Sequence, residues 1–299
     1  MNSSAKVEAF EAVSTQPDAA QLDAAAAKLI ADVGIPPRPS ILEDLQAEIA
    51  SDDASISKIV KLVGMDAGLS AAVLKGANSP LYGLRRRAES LSDAVSFLGM
   101  NRVGGLVTSI LLSKALSFEG LSLQRFWDVS TKRSYALQAL APKVDGVSAA
   151  NAHTFGLFCD VGIPLLMRRF AAYSNTLHLA NTLPDVSFTA VERQAHGADH
   201  ATLGALMGRS WGVSQTTCLA IRTHHDYGAL APGAMPSEVQ GLVALGLVCE
   251  VIIQRYAGLN ATQEWAKGGG AALELLGIDD AVLEDWCDQV HEGFSQGIA

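Results

Sequence analysis

The sequence predicts an all-α fold, a bundle of many short helices, and three observations predict it. Apolar residues recur at three- and four-residue spacing along most of the chain, capping residues precede those runs, and no stretch alternates apolar with polar residues as a strand does. Successive amphipathic helices joined by short loops then bury their apolar faces around a shared interior.

Residues 1 to 33 are alanine-rich, with Leu22, Ala25, Ala26, Leu29 and Ile30 at helical spacing, which predicts a lone helix ahead of the main body. Pro36, Pro37 and Pro39 then remove backbone donors and hold the chain extended, so a domain starts near residue 34. Ser40 with Glu43 has the spacing of a capping box ahead of Ile41, Leu42, Leu45 and Ile49. Asp53 or Ser55 caps a helix with Ile56, Ile59, Val60 and Val63, and Asp66 caps one with Leu69, Ala72, Val73 and Ala77, closed by Asn78-Ser79-Pro80. Ser90 with Asp93 forms a second capping box, Gly99 closes that helix, and Asn101 opens the next. Beyond Phe118-Glu119-Gly120, helices are predicted over 124 to 141, 150 to 158, 163 to 180, 188 to 209, 214 to 225, 236 to 257 and 280 to 294. Gly268-Gly269-Gly270 reads as a flexible joint.

At 299 residues with 49% hydrophobic and 18% charged composition, the chain can build a sizeable core, and disorder is excluded for most of it. Lys plus Arg is 22 against 31 Asp plus Glu, a net charge of −9, which excludes a globally basic nucleic-acid footprint. Cys159, Cys218, Cys249 and Cys287 form no CxxC pair, so no zinc ribbon or redox motif is available. Met1 to Ser14 has no apolar signal core and carries Glu8 and Glu11, and apolar runs such as Gly241 to Cys249 are too short to span a bilayer. A cytoplasmic protein without membrane contact is therefore expected.

Of seven histidines, four fall in one window: His196, His200, His224 and His225. His196 and His200 are four apart and would share a face of one helix, and an antiparallel neighbour could bring His224-His225 to them as a metal or phosphate pocket. Capping helix ends or bonding buried carbonyls is the ordinary alternative for such rings.

The order of several motifs now becomes informative. It runs Ile35-Pro36-Pro37-Arg38-Pro39, Met65-Asp66-Ala67-Gly68-Leu69, Ala77-Asn78-Ser79-Pro80-Leu81-Tyr82-Gly83 and Phe97-Leu98-Gly99. Phe126-Trp127-Asp128-Val129-Ser130, Gly156-Leu157-Phe158-Cys159-Asp160-Val161-Gly162, Gly197-Ala198-Asp199-His200-Ala201-Thr202-Leu203-Gly204, Trp211 and His224-His225 follow. Over roughly residues 34 to 260 this resembles the HDOD family, a bacterial signalling module related to HD phosphohydrolases. The resemblance implies an HD-domain-like bundle. A helical half over 34 to 118 would pack on a degenerate HD-like half over 119 to 260, with an extension over 1 to 33 before them and a helical segment over 261 to 299 after.

The resemblance also implies where metal ligands of HD hydrolases would fall. Val129 stands where a first histidine is expected, Cys159 replaces the histidine of the His-Asp pair, and Leu247 lies where a late aspartate is expected. Asp160, His200 and one or both of His224 and His225 remain, and Glu250 is the nearest carboxylate to the late position. A hydrolytic ion needs negative ligands and an open position for water, so this count implies no metal, no cofactor and no catalytic residues. Cys159 lacks an activating base and reads as a core thiol, and Ser130 and Ser134 as helix serines.

Arg85-Arg86-Arg87 is a candidate anion or partner contact, set against a solvated loop; Arg168-Arg169 reads as helix C-terminal charge. No Walker loop or dinucleotide fingerprint is present. By resemblance, the leading reading is a non-catalytic signalling module binding a protein partner or a regulatory, nucleotide-type ligand, its contact surface lying between the two halves. A divergent phosphohydrolase acting on a nucleotide or cyclic dinucleotide through Asp160, His200, His224, His225 and Glu250 is the alternative. A nucleic-acid-binding regulator using Arg85 to Arg87 is a third. The sequence sets neither the pathway nor the oligomeric state.

Overall fold

The computed structural model describes Ala31 and residues 34 to 259 and 263 to 297, so the helix expected within residues 1 to 33 lies almost wholly outside them. The first half is written in its caps. Pro39 occupies the N-cap of α1 (Ser40–Ala50), so Ser40 is already the first helical residue and the Ser40/Glu43 capping box does not form. Ser55 caps α2 (Ile56–Gly64) and Asp66 caps α3 (Ala67–Ala77). Ser90 and Asp93 close a reciprocal capping box on α4 (Leu91–Leu98). α5 (Met100–Ala115) starts directly after Gly99 rather than at Asn101, because Gly99 at φ 82° serves as the last cap of one helix and the first of the next.

The second half comprises α6 (Gln124–Leu140), α7 (Ala149–Phe158), α8 (Gly162–Arg169), α9 (Tyr173–Thr182), α10 (Phe188–His196), α11 (His200–Ser210) and α12 (Gln215–Thr223). α13 (Ser237–Tyr256), α14 (Gln263–Leu276) and α15 (Asp280–Gly297) complete it. Two expected helices are each split. The 163-to-180 run breaks where Phe170 turns extended and its ring leaves to stack on His196, 4.3 Å between centroids. The 188-to-209 run breaks at Gly197, whose left-handed backbone (φ 74°) ends α10.

The glycine triplet is not a joint. Gly268, Gly269 and Gly270 lie inside α14. A Cβ on Gly268 would meet the Tyr227 ring at 2.6 Å and one on Gly269 the Trp265 ring at 2.7 Å, so two of these glycines are close-approach positions.

α13 is the central rod, packed by α6, α12, α14 and α15. Its length and apolarity would pass for a membrane span, but 72% of its most apolar stretch is buried inside the fold. No strand occurs among the described residues. A continuous apolar core runs from Leu42 in α1 to Phe294 in α15, so the helices of residues 34 to 118 pack directly on those that follow. α5 meets α7, the Pro80–Tyr82 turn meets α15, and the Trp211 indole N–H donates to the Pro36 carbonyl at 2.9 Å.

Candidate functional site

Two glycines let the turn carrying Asp160 reach the interior. α7 crosses α6 at Gly156, where a Cβ would stand 2.5 Å from the Ser134 Cα; α8 begins at Gly162, where a Cβ would stand 2.1 Å from the His200 carbonyl oxygen. No side chain fits either contact, so the Asp160 turn lies against the first turn of α11. Asp199 caps that helix by accepting the Thr202 N–H at 2.7 Å, which makes the fully buried His200 its first residue. His224 and His225 follow the end of α12 and face the same point.

One ligand atom from each of Asp160, His200, His224 and His225 falls within 4.8 Å of the others. Asp160 Oδ1 is 3.6 Å from His200 Nε2 and 3.4 Å from His224 Nε2, and the two Nε2 atoms are 3.3 Å apart. Each ring is anchored from behind. His200 Nδ1 meets Glu192 Oε2 at 2.6 Å, His224 Nδ1 meets the Ile221 carbonyl at 2.7 Å, and His225 Nδ1 meets Glu264 Oε2 at 2.7 Å. These oxygens can only accept, so the three Nδ1 atoms donate and Nε2 is the ring nitrogen left for the cluster. Such outer acceptors orient imidazole ligands in metal centres.

The acceptors are themselves held. Glu192, wholly buried, also takes the His200 backbone N–H at 3.1 Å and the Tyr173 hydroxyl. Glu264 takes the Tyr227 hydroxyl at 2.7 Å and the Lys267 ammonium at 2.8 Å. Burial opposes its charge, yet His225, Lys267 and Tyr227 bring the Glu264 carboxyl down to about 2. Burial also opposes charge on His200, but Glu192 and Asp160 override it and raise the ring to about 9. Burial, reinforced by the neighbouring His224, pushes His225 down to about 4.

The other face of Asp160 belongs to an arginine. Arg133, on α6 one turn beyond Val129, places Nη1 2.6 Å from Asp160 Oδ2 and 2.9 Å from the Cys159 sulfur, and Nη2 3.7 Å from Glu250. Burial raises the carboxyl of Asp160, but the Arg133 guanidinium and the histidines hold it well below the usual carboxylate range. Burial pushes the Cys159 thiol far up, and its side chain is part of the apolar core.

The donor set fits a divalent transition ion. The three separations among Asp160, His200 and His224, 3.3 to 3.6 Å, match the roughly 3.4 Å edges of a tetrahedron built on bonds of about 2.0–2.1 Å, and His225 stands within 4.8 Å of them. Three imidazoles and a carboxylate suit ions of the zinc kind. With the His200 ring raised to about 9, an ion bound at its Nε2 would have to displace a proton.

The remaining expected positions disperse. Val129 and Glu250 line a cavity of about 540 Å³ that has Arg133 in its wall. Glu250 is separated from the donor cluster by that arginine, and burial raises its carboxyl. Leu247 is buried in the core. His196 does not share a helix face with His200, because Gly197 breaks the helix between them; its Nε2 pairs with Thr176 Oγ1 at 2.9 Å. Arg86 lies 4.4 Å from the centre of the Phe97 ring, Arg87 lines a cavity in the first half, and Arg85 is exposed.

Sequence reasoning missed Arg133, Glu192 and Glu264. Arg133 carries a faint signal, since it lies one helical turn beyond Val129 on the same helix. Glu192 and Glu264 carry none, lying eight residues before His200 and 39 after His225.

The HDOD domain pattern matches residues 35–227. A curated relative from Treponema pallidum (strain Nichols), an uncharacterised protein, is 24% identical over 193 residues, 64% of this chain and 38% of its own length. The chain therefore spans well under half of that relative. Among solved structures, an HDOD domain protein of unknown function from Geobacter sulfurreducens matches with TM-score 0.71 at 20% identity, covering 94% of this chain and all of that one. A provisionally named signal transduction protein from Marinobacter aquaeolei VT8 gives 0.70 at 22% identity, with 93% of this chain and 63% of that one covered. A provisionally named phosphohydrolase from Shewanella amazonensis SB2B gives 0.69 at 21%, with 93% and 97% covered. At these identities the solved structures establish the fold. With the domain pattern covering well over half of its residues, in an all-helical fold that these structures share, the chain belongs to the HDOD family.

Proposed function

We propose that this chain acts in signal transduction as a non-hydrolytic HDOD module that binds a protein partner or a regulatory ligand. The contact of Arg133 with Asp160 at 2.6 Å carries the reading. The carboxylate at the superfamily's signature position is already neutralised on one oxygen by a resident cation. The donors facing its other oxygen, His200, His224 and His225, would complete a four-ligand shell around a single ion. A filled tetrahedral shell is the arrangement of structural metal sites, whereas catalytic ones keep a position open for water. Such an ion would tie α11, α12 and the Asp160 turn together.

The alternative, a divergent metal-dependent phosphohydrolase acting on a nucleotide or cyclic dinucleotide, is favoured by one observation, the convergence of those same four donors. A bound ion would supply Lewis acidity toward water or a phosphoryl oxygen. Metal content of the purified full chain, together with a Mn²⁺-supplemented assay on bis(p-nitrophenyl) phosphate, separates the readings. The expected result is no turnover above that of Asp160→Ala. Stoichiometric metal with turnover that Asp160→Ala abolishes would overturn the proposal.

A further inference from the structure

The first half contains a cavity of about 700 Å³, remote in sequence from the donor cluster, between the last turns of α3 and the chain that follows it. Asn78 builds it. Its amide N–H donates to the Leu74 carbonyl at 2.9 Å and to the Ala88 carbonyl at 2.8 Å, while its oxygen accepts the Ala88 N–H at 2.8 Å. The first bond fixes the side chain on α3 and the two with Ala88 pin the end of the 79-to-88 segment back onto it. Gly83, at φ 56°, supplies the left-handed turn this return path needs.

Two cations line the concavity, Lys75 from α3 and Arg87 from the returning loop, and no carboxylate among the described residues lines it. Both are exposed, and neither has an ion pair among the described residues. Arg86 is turned elsewhere, onto Phe97. Leu74 and Leu84 give the same cavity an apolar surface. In a chain of net charge −9, two uncompensated cations over a partly apolar hollow select an anion with an organic half. Guanidinium and ammonium groups together suit a phosphoryl group, the first by forked hydrogen bonds and the second as a point charge. A nucleic-acid strand would instead need an extended basic track.

We propose that this cavity binds a small phosphate ester, with Lys75 and Arg87 holding the phosphoryl group and Leu74 and Leu84 against its organic half. The site is separate from the donor cluster, so it stands whether or not that cluster holds a metal.

Calorimetric titration of the full chain with AMP tests it, with adenosine and inorganic phosphate as the two half-ligands. AMP is expected to bind, inorganic phosphate more weakly, and adenosine not to compete. Lys75→Ala/Arg87→Ala should weaken AMP by at least about tenfold, the scale of losing charge-assisted hydrogen bonds, with an unchanged unfolding temperature because both side chains are exposed. Arg85→Ala should bind as the parent does. No heat with AMP at millimolar concentration, an affinity the double variant leaves intact, or an equal loss in Arg85→Ala would each overturn the proposal. So would tight binding of a single-stranded oligonucleotide, lost in the double variant, in place of AMP.

Discussion

Arg133 is the side chain on which the electrostatics of the centre turn, because it faces Asp160, Cys159 and Glu250 together. Removing one partner of a buried ion pair leaves an uncompensated charge, so Arg133→Met should cost about 3–5 kcal/mol in chemical unfolding. Adding Asp160→Asn to that variant should recover part of the loss, and strict additivity of the two changes would contradict the coupling. Glu192 is the second such residue. It accepts from the His200 backbone, the His200 ring and the Tyr173 hydroxyl with no exposure of its own. Glu192→Ala should destabilise by roughly 3–5 kcal/mol, since three buried donors lose their acceptor. If denaturant melts show less than about 1 kcal/mol, water must reach the pocket and replace the carboxylate.

At the scale of the helix, caps and glycines make separate, measurable contributions. Hydrogen bonds from the backbone at Leu69 and Glu89 hold the carboxyls of Asp66 and Asp93 below the ordinary value of 3.8. A depressed folded value means that their contribution is whole above the ordinary value and is lost as pH falls through the folded one. The unfolding temperature should therefore drop as pH goes from about 5 to about 3. Asp66→Asn should flatten that drop while keeping its cap, since asparagine caps as well as aspartate, and Asp93→Asn should flatten it while still offering an acceptor oxygen to the Glu89 and Ser90 N–H groups. The glycines of α14 divide in the same way. Gly270 has open space where a Cβ would go and Gly268 has the Tyr227 ring. Gly270→Ala should stabilise by roughly 0.5–1 kcal/mol in a thermal melt, whereas Gly268→Ala should destabilise.

At the scale of the molecule, the helices of the first half and those around the donor cluster share one core, and Trp211 is tied to Pro36 across 175 residues of chain. Two bodies joined in this way should unfold together. Far-UV circular dichroism and tryptophan fluorescence should then give superimposable urea curves, and a fluorescence transition preceding the loss of helix would show that the halves come apart first. This coupling would give an ion bound at the donor cluster leverage over the whole fold, because α11 packs on α12 and α12 on the core rod.

The sequence by itself determined the helical class, the caps at Asp66 and Ser90, a cap at either Asp53 or Ser55, and the motif order that marks the family. All of these are local or collinear: a cap depends on residues three apart, and a motif needs only its own neighbours. It also carried Asp160, His200, His224 and His225 as candidate donors. It did not show that they meet, or that Arg133, Glu192 and Glu264 stand behind them. Those groups come from different parts of the chain, and the close approach at Gly156 and Gly162 is what sets the Asp160 turn against the helix of Arg133 and the start of α11. The misread glycine triplet and the helix split at Gly197 have the same cause. A glycine inside a helix and a glycine that ends one have identical local chemistry, and only packing against Tyr227 or a left-handed turn at Gly197 decides which it is.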